Sequence, residues 1–224
     1  MNIGVNFRQV KSLKEKLKDK NILIKRILFF VLGIVATALG VSLTIISNFG
    51  AGSWDALSVG LSETFGLTVG TWVVIVAVVL IIASGILLRK IPRFSTLITS
   101  FVTGAGIDLW LAALKGVEVS GIANEFLVFM AGIVVIGFGV SMVVLTELPP
   151  GPIDYFMIVI KEKFKLSLGV AKTISEGIGL ILGLTFHGPI GIGSIVIVII
   201  MGPVIQFFSK LLEPRIKKQI NIAA

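Results

Sequence analysis

The sequence contains no cysteine and a single histidine among its 224 residues. The absence of cysteine excludes disulfides, iron–sulfur clusters and thiolate zinc sites. In what is left, no nucleophile–base set, histidine-rich metal spacing or phosphate-binding loop stands out. We therefore expect neither an enzyme nor a bound cofactor.

Charged residues are also scarce. They make up 14% of the chain, whereas soluble domains carry about 25%. Hydrophobic residues make up 55%, and the mean hydropathy is +1.05. A water-soluble fold of this size could not bury so much apolar surface, so the composition predicts a protein whose solvent is the lipid bilayer. The chain is long enough for several helices of about 20 apolar residues each, the length that crosses a membrane.

Six apolar stretches are each long enough to cross a membrane as a helix. We predict spans at 27–46, 69–88, 94–114, 126–146, 168–186 and 192–209. Two further helical stretches, 56–65 and 155–164, are too short to cross, and each follows a loop rich in glycine or proline. No cleavable signal peptide is visible, so we expect the first apolar run to be kept as the first span.

The predicted spans divide the chain into five parts. These are a basic amphipathic N-terminal segment at 1–26, a first three-helix repeat at 27–114, a linker at 115–125, a second three-helix repeat at 126–210 and a basic C-terminal tail at 211–224. In the N-terminal segment, apolar residues at helical spacing among lysines indicate a helix lying on an anionic membrane surface. A solvated basic tail fits that segment equally well.

The basic residues show which side of the membrane each loop occupies. Eighteen of the twenty lysines and arginines fall in the segments 1–26, 89–93, 161–165 and 210–218. With six spans, all four segments lie on one side, and the enrichment of lysine and arginine in cytoplasmic loops then places both termini in the cytoplasm. We predict a multi-pass protein of the bacterial cytoplasmic (inner) membrane. The net charge of +8 lies next to the apolar runs, so no nucleic-acid partner is expected.

An internal duplication runs through the chain. Residues 33–72 align with 132–171 without a gap, and twelve of these forty pairs are identical. General similarity between apolar helices does not explain why one register pairs Gly52 with Gly151 and Asp55 with Asp154. The match continues to Ser95 and Ser194, and, with one residue deleted, to Gly104 and Gly202 and to Asp108 and Gln206.

Each repeat has an odd number of spans, so the two copies must face opposite sides of the membrane. The predicted fold is an all-α membrane protein with six transmembrane helices, arranged as two inverted three-helix repeats that each contain a short interrupted helix. Inverted repeats of this kind are common in secondary transporters, where the binding site lies between the repeats at interrupted helices.

The two short helices supply the first candidate site. A helix start offers unpaired N–H groups and a partial positive charge. We predict that Asp55 and Asp154, with Gly52 and Gly151 before them, line a path for a solute or an ion. Alternatively, each aspartate only stabilises its own helix start, by about 0.3–1 kcal/mol. The sequence leaves both interpretations open.

Ionisable residues inside the spans supply further candidates, because burying them in lipid is costly. Asp108 lies well inside the third predicted span. Lys172 and Glu176 are four residues apart on one helix face, and they form either part of the site or a structural ion pair.

The remaining candidates are weaker. Trp54 precedes the first aspartate and belongs either to the site or, with Trp72, to an aromatic belt at the membrane interface. Ser95 and Ser194 complete the candidate set at equivalent positions of the two repeats. Other residues favour structural roles: His187 is expected at the surface, and the Gly179-x-x-x-Gly183 pattern indicates helix packing.

Several segments resemble one known family. Gly52-Ser53-Trp54-Asp55, Phe65-Gly66-Leu67-Thr68-Val69-Gly70 and Pro150-Gly151-Pro152-Ile153-Asp154 are similar to the YczE/YyaS/YitT group of bacterial membrane proteins, and most similar to its YczE branch. The resemblance covers most of residues 23–212. It implies a bacterial multi-span membrane protein, and it supplies no catalytic residues.

The leading hypothesis is a transporter or pore for a small solute or an ion, with its site between the inverted repeats. The alternative is a non-transporting membrane scaffold or accessory partner of another enzyme or complex, bound through the basic cytoplasmic face. An intramembrane enzyme is a weaker third idea, against which the residue inventory argues. The sequence does not decide the substrate, the direction, the coupling ion or whether the chain forms a homo-oligomer.

Overall fold

A computed structural model describes residues 20–91, 94–149 and 151–220, and this part of the chain is helical. Its eight α-helices are α1 (Lys20–Ile46), α2 (Ser53–Phe65), α3 (Val69–Leu88), α4 (Leu97–Ala113), α5 (Ile122–Leu145), α6 (Pro152–Phe164), α7 (Leu168–Thr185) and α8 (Ile192–Gln219). A short 3-10 turn, Phe94–Thr96, leads into α4. The predicted amphipathic segment before residue 20 lies outside the described residues.

Six of these helices are long and apolar enough to cross a membrane, which confirms the predicted number of spans. The exact ends differ from the prediction. Helix α1 begins seven residues early, α5 begins inside the predicted linker, and α8 continues through residues predicted as a tail. Each predicted span stops where the apolar stretch meets the first charged residues. Lysine, arginine and glutamate are nevertheless good helix formers, so the helix continues beyond the apolar core. In α8 the ion pair between Glu213 and Lys217, one turn apart, supports this extension.

The helices form two groups of four. Helices α1, α4, α5 and α8 share one apolar cluster, centred on Ile107, Phe129 and Ile133. Helices α2, α3, α6 and α7 share another, centred on Trp54 and Phe156. Each group therefore draws helices from both halves of the chain.

Helices α1 and α5 join the two halves through glycines that the duplication pairs. An added Cβ atom at Gly33 would lie 2.8 Å from the carbonyl oxygen of Gly139, and one at Gly40 would lie 2.8 Å from that of Gly132. Small residues allow two helix backbones to approach this closely inside a membrane. Packing thus explains why glycine occupies these positions in both copies.

Two equivalent serines make matching contacts to the last helix of each half. The Ser42 hydroxyl donates to the Ala38 carbonyl at 2.9 Å and lies 3.5 Å from the Ile107 carbonyl on α4. The Ser141 hydroxyl lies 2.6 Å from the Gly137 carbonyl and 2.9 Å from the Ile205 carbonyl on α8. The pairs α1–α4 and α5–α8 therefore pack alike.

Each short helix packs on a long helix of the opposite half: α2 on α7, and α6 on α3. An added Cβ atom at Gly179 would lie 3.0 Å from the Trp54 ring, and one at Gly183 would lie 3.3 Å from the Leu57 nitrogen. The predicted packing role of this glycine pair is confirmed. Trp54 is consequently only 5% exposed, so it does not belong to an interfacial aromatic belt.

One helix pair differs between the halves. Helices α3 and α4 meet at Gly70 and Gly104, where a side chain on either residue would overlap the carbonyl group of the other. The counterparts of these residues, Gly169 on α7 and Gly202 on α8, have open space at the same position. Among the described residues α7 and α8 make no extended contact.

Candidate functional site

A cavity of about 450 Å³ lies between the two groups of helices. All eight helices contribute to its wall. Its volume falls within the range of about 300–1,000 Å³ that is usual for small-molecule sites. Both short helices enter it with their N-terminal ends, so the two duplicated loops meet at one place.

The structure brings six of the ten predicted site residues into this wall. They are Gly52, Trp54, Asp55, Gly151, Asp154 and Glu176. Among the described residues that line the cavity, every charged side chain is a carboxylate. The rest of the wall is mainly aliphatic, so the cavity combines a negative charge with an apolar surface.

Each aspartate occupies the third position of its helix, and a glycine occupies the N-cap position immediately before the first helical residue. A Cβ atom on Gly52 would lie 2.8 Å from a carboxylate oxygen of Asp55, the free end of a side chain that can move aside. No hydrogen bond joins the Asp55 or Asp154 carboxylate to another described residue. Both carboxylates lie in the cavity wall and in the first turn of their own helices, where the helix dipole also favours a negative charge.

Burial shifts the ionisation of both aspartates, which lie outside the six spanning helices. It raises the pKa of Asp55 to about 7, and the nearby negative charge of Glu176 adds to the increase. The pKa of Asp154 is also raised by burial, although the positive charge of Lys172 opposes that increase and Glu176 reinforces it. Both groups can thus hold a proton at a pH at which a solvated aspartate is ionised.

Two polar groups beside the first aspartate are buried without a partner. Ser53 and Trp54 line the cavity and are 2% and 5% exposed. The Ser53 hydroxyl oxygen and the Trp54 indole nitrogen have no hydrogen-bond partner among the described residues. Buried polar groups in folded proteins are nearly always bonded, so these two mark a place where a polar partner would be favourable.

Lys172 lies next to the cavity, one turn before Glu176 on α7, and it is not among the residues that line it. The ion pair that the sequence suggested between these two residues is not formed: in the described part of the chain, oppositely charged side chains meet only at Glu213 and Lys217. The charge of Lys172 acts on Asp154 instead.

Asp108, Ser95 and Ser194 lie outside the cavity wall. Asp108 connects two helices: one carboxylate oxygen accepts from the Gly70 N–H at 2.8 Å, and the other accepts from the Thr68 hydroxyl at 2.6 Å. It thereby satisfies the start of α3, so its contacts are structural. Ser194 accepts from the Gly191 N–H at the start of α8, and Ser95 is exposed in the 3-10 turn.

The cavity also contains hydroxyl groups that the sequence reasoning missed. Thr99, Ser100 and Thr103 line it from α4, and Thr37 lines it from α1. A signal was present, because residues three and four apart on a helix share one face. The hydroxyl of Thr103 donates to the Thr99 carbonyl at 2.8 Å, as hydroxyls in apolar helices commonly do.

Comparison with known proteins places the chain in a family. Residues 24–210 match the Family of unknown function (DUF6198). The chain is 38% identical to the Uncharacterized protein YyaS of Bacillus subtilis over 187 residues, covering 83% of this chain and 93% of the relative. It is 32% identical over 189 residues to the Uncharacterized membrane protein YczE of the same organism, covering 84% of this chain and 87% of the relative.

An uncharacterized protein of Haemophilus influenzae is 27% identical over 184 residues, which is 81% of each chain. No solved structure matches the chain. The protein therefore belongs to the DUF6198 family, and the resemblance to the YczE/YyaS group is confirmed. The six apolar helices and the membrane protein YczE among its relatives identify it as a multi-pass membrane protein.

Proposed function

We propose that this member of the DUF6198 family transports a small solute through the cavity between its two groups of helices. The observation that carries the proposal is that the two duplicated helix starts, each with a glycine and an aspartate, enter one cavity. A binding site between repeats at the ends of interrupted helices is typical of secondary transporters. A scaffold protein needs no such cavity, and a dry contact between the loops would fit that role better.

The proposal includes an inverted-repeat architecture. Its support is that equivalent residues approach the cavity from both halves: Val41 and Val140, and Asp55 and Asp154. The matching hydroxyl contacts of Ser42 and Ser141, which both reach the last helix of their own half, are further support. In this architecture the pseudo-twofold axis lies in the membrane plane and passes through the cavity.

The proposed orientation has both termini in the cytoplasm of a bacterium. The four segments rich in lysine and arginine support it, because they all lie on one side of a six-span protein in its inner membrane. The second short helix ends in Lys161 and Lys163, whereas its counterpart has Ser62 and Thr64. Of the two short helices, the one whose C-terminal end faces the cytoplasm in this orientation is thus the basic one.

Cysteine accessibility tests transport without knowledge of the solute. The chain has no cysteine, so each introduced thiol is the sole target of a thiol reagent. We expect Thr103→Cys and Val140→Cys, two partly exposed positions in the cavity wall, to react with a membrane-impermeant methanethiosulfonate applied to either side of sealed vesicles.

Two surface positions serve as controls for this experiment. Ser120→Cys, in the link before α5, should react only from outside, and Lys90→Cys, after α3, only from inside; both residues are exposed. If the cavity thiols react from one side only, or from neither, the transport proposal is wrong. If the controls react from the opposite sides, the orientation is wrong and the transport proposal remains.

A further inference from the structure

We infer that the solute is an organic cation, an amine or quaternary ammonium compound with an apolar body. This inference rests on the proposed function and adds the class of substrate. Its first support is the sign of the charge in the cavity. Asp55, Asp154 and Glu176 line it, and no lysine, arginine or histidine does so among the described residues.

Two sources of positive charge near the site oppose the negative charge of these carboxylates. Each helix start contributes roughly half a positive charge, which by itself would favour an anion. Lys172 contributes a full charge next to Asp154, from outside the wall. At α2 the aspartate already occupies the helix start, and Glu176 adds a negative charge that acts on both aspartates. Above about pH 7, where Asp55 loses its proton, the surface that a solute touches therefore carries a net negative charge.

The spacing of the acidic groups argues for an organic cation rather than a metal ion. Among the described residues, no three histidine, aspartate or glutamate side chains are close enough to hold one metal ion. The carboxylates are spread over the wall, and a divalent metal would require several oxygens at 2.0–2.6 Å, roughly. A larger cation can contact one carboxylate with its charged group and other parts of the wall with its body.

The remaining wall suits such a body. The cavity volume of about 450 Å³ suits a small organic molecule, and aliphatic side chains form most of its surface. Trp54 supplies an aromatic ring to the wall close to Asp55, and ammonium groups bind favourably to aromatic rings. The unpartnered Ser53 hydroxyl, more than nine-tenths buried in the same wall, can accept a hydrogen bond from an ammonium N–H at this end of the cavity. The unpartnered Trp54 indole N–H only donates, so it is left for an acceptor on the body of the solute.

Binding of two matched probes to the purified full-length chain tests this inference. The probes are benzyltrimethylammonium and phenylacetate, which share an aromatic body and differ in the sign of their charge. We expect saturable binding of the cation by isothermal titration calorimetry at pH 8, and at least about tenfold weaker binding of the anion.

Substitutions then locate the binding. Asp55→Asn and Glu176→Gln should each weaken cation binding about tenfold or more, because each removes one carboxylate from the wall without changing its shape. Glu63→Gln is the matched control, since Glu63 lies exposed on the same helix as Asp55 and outside the cavity. Its cation affinity should equal that of the unmodified chain.

The inference is overturned if phenylacetate binds as tightly as the cation, if neither probe binds, or if both cavity variants keep full cation affinity. These outcomes are independent of the cysteine experiment. Thiols reactive from both sides without cation binding would leave transport standing and remove the cation. Cation binding with thiols reactive from one side only would support the cation and rule out transport, leaving a protein that binds cations without transporting them.

Discussion

The two halves of the chain share their order of helices and differ at one helix pair. In the first half Gly70 and Gly104 bring α3 and α4 into backbone contact, and Asp108 connects the same two helices. In the second half Gly169 and Gly202 have open space around them. A residue retained in both copies therefore need not have the same role in both. The halves remain matched where they pack against each other and at the pairs α1–α4 and α5–α8, and they differ at the pairs α3–α4 and α7–α8.

The largest effect should come from adding one methyl group at each of the two equivalent glycines. Gly104→Ala places its Cβ against the Gly70 carbonyl, where backbone on both sides prevents relaxation, and we expect a loss of stability of about 3 kcal/mol. Gly202→Ala meets no atom within 4 Å and should raise stability by up to about 1 kcal/mol, because alanine favours the helix.

Thermal unfolding followed by tryptophan fluorescence would measure both variants in detergent. Equal destabilisation of the two variants would mean that α7 and α8 also pack closely in solution. The difference between the halves would then not hold.

A smaller effect is expected from the charged residue at the same helix pair. Asp108→Ala removes two hydrogen bonds to a carboxylate, from the Gly70 N–H and the Thr68 hydroxyl, and should destabilise the protein by about 2 kcal/mol. Gln206→Ala removes the exposed counterpart and should change stability by less than about 0.5 kcal/mol.

Ligand binding distinguishes a structural Asp108 from a functional one. Folded Asp108→Ala protein should bind benzyltrimethylammonium as tightly as the unmodified chain, because Asp108 lies outside the cavity wall. Weaker binding by calorimetry would instead show that Asp108 contributes to the binding site.

The last comparison concerns the paired aspartates and pH. The pKa of Asp55 is about 7 in the folded chain and near 3.8 when it is solvated, so the folded state holds the proton over a range where the unfolded state has released it. Stability should therefore fall as pH rises from about 4 to 7. Asp55→Asn should flatten this slope and leave the protein more stable than the unmodified chain at pH 8.

Asp154→Asn should flatten the slope in the same direction, because burial also raises the Asp154 pKa, against the opposing charge of Lys172. Unfolding temperatures measured at several pH values between 4 and 8 would compare the two variants. If neither changes the slope, the aspartates are not buried in the manner described.

The spans and the two short helices were predictable because they depend on local signals. Apolar length identifies a spanning helix, and glycine and proline interrupt it. Duplication in one register also identified the helix starts with Asp55 and Asp154 as a pair, and both line one cavity. These features follow from the neighbours of each residue in the sequence.

Contacts between distant segments were not predictable in the same way. A charge inside a span indicates a cost of burial, but it does not name the partner, and for Asp108 the partner is the start of a neighbouring helix. Lys172 and Glu176 have the spacing of an ion pair, yet the charge of each acts on a carboxylate of another helix. The pairing of α2 with α7 depends on tertiary packing between segments more than a hundred residues apart.

Each short helix packs against a long helix of the opposite half, and this exchange has a consequence for biosynthesis. Helix α2 packs along α7. The surface of α2 that contacts α7 therefore has no native partner until the ribosome has made the second half. The first half must then wait in the membrane with Gly60 and Leu57 facing lipid or an insertion factor. Chain assembly is therefore completed late, and two halves made as separate polypeptides would be expected to find each other through the same exchange.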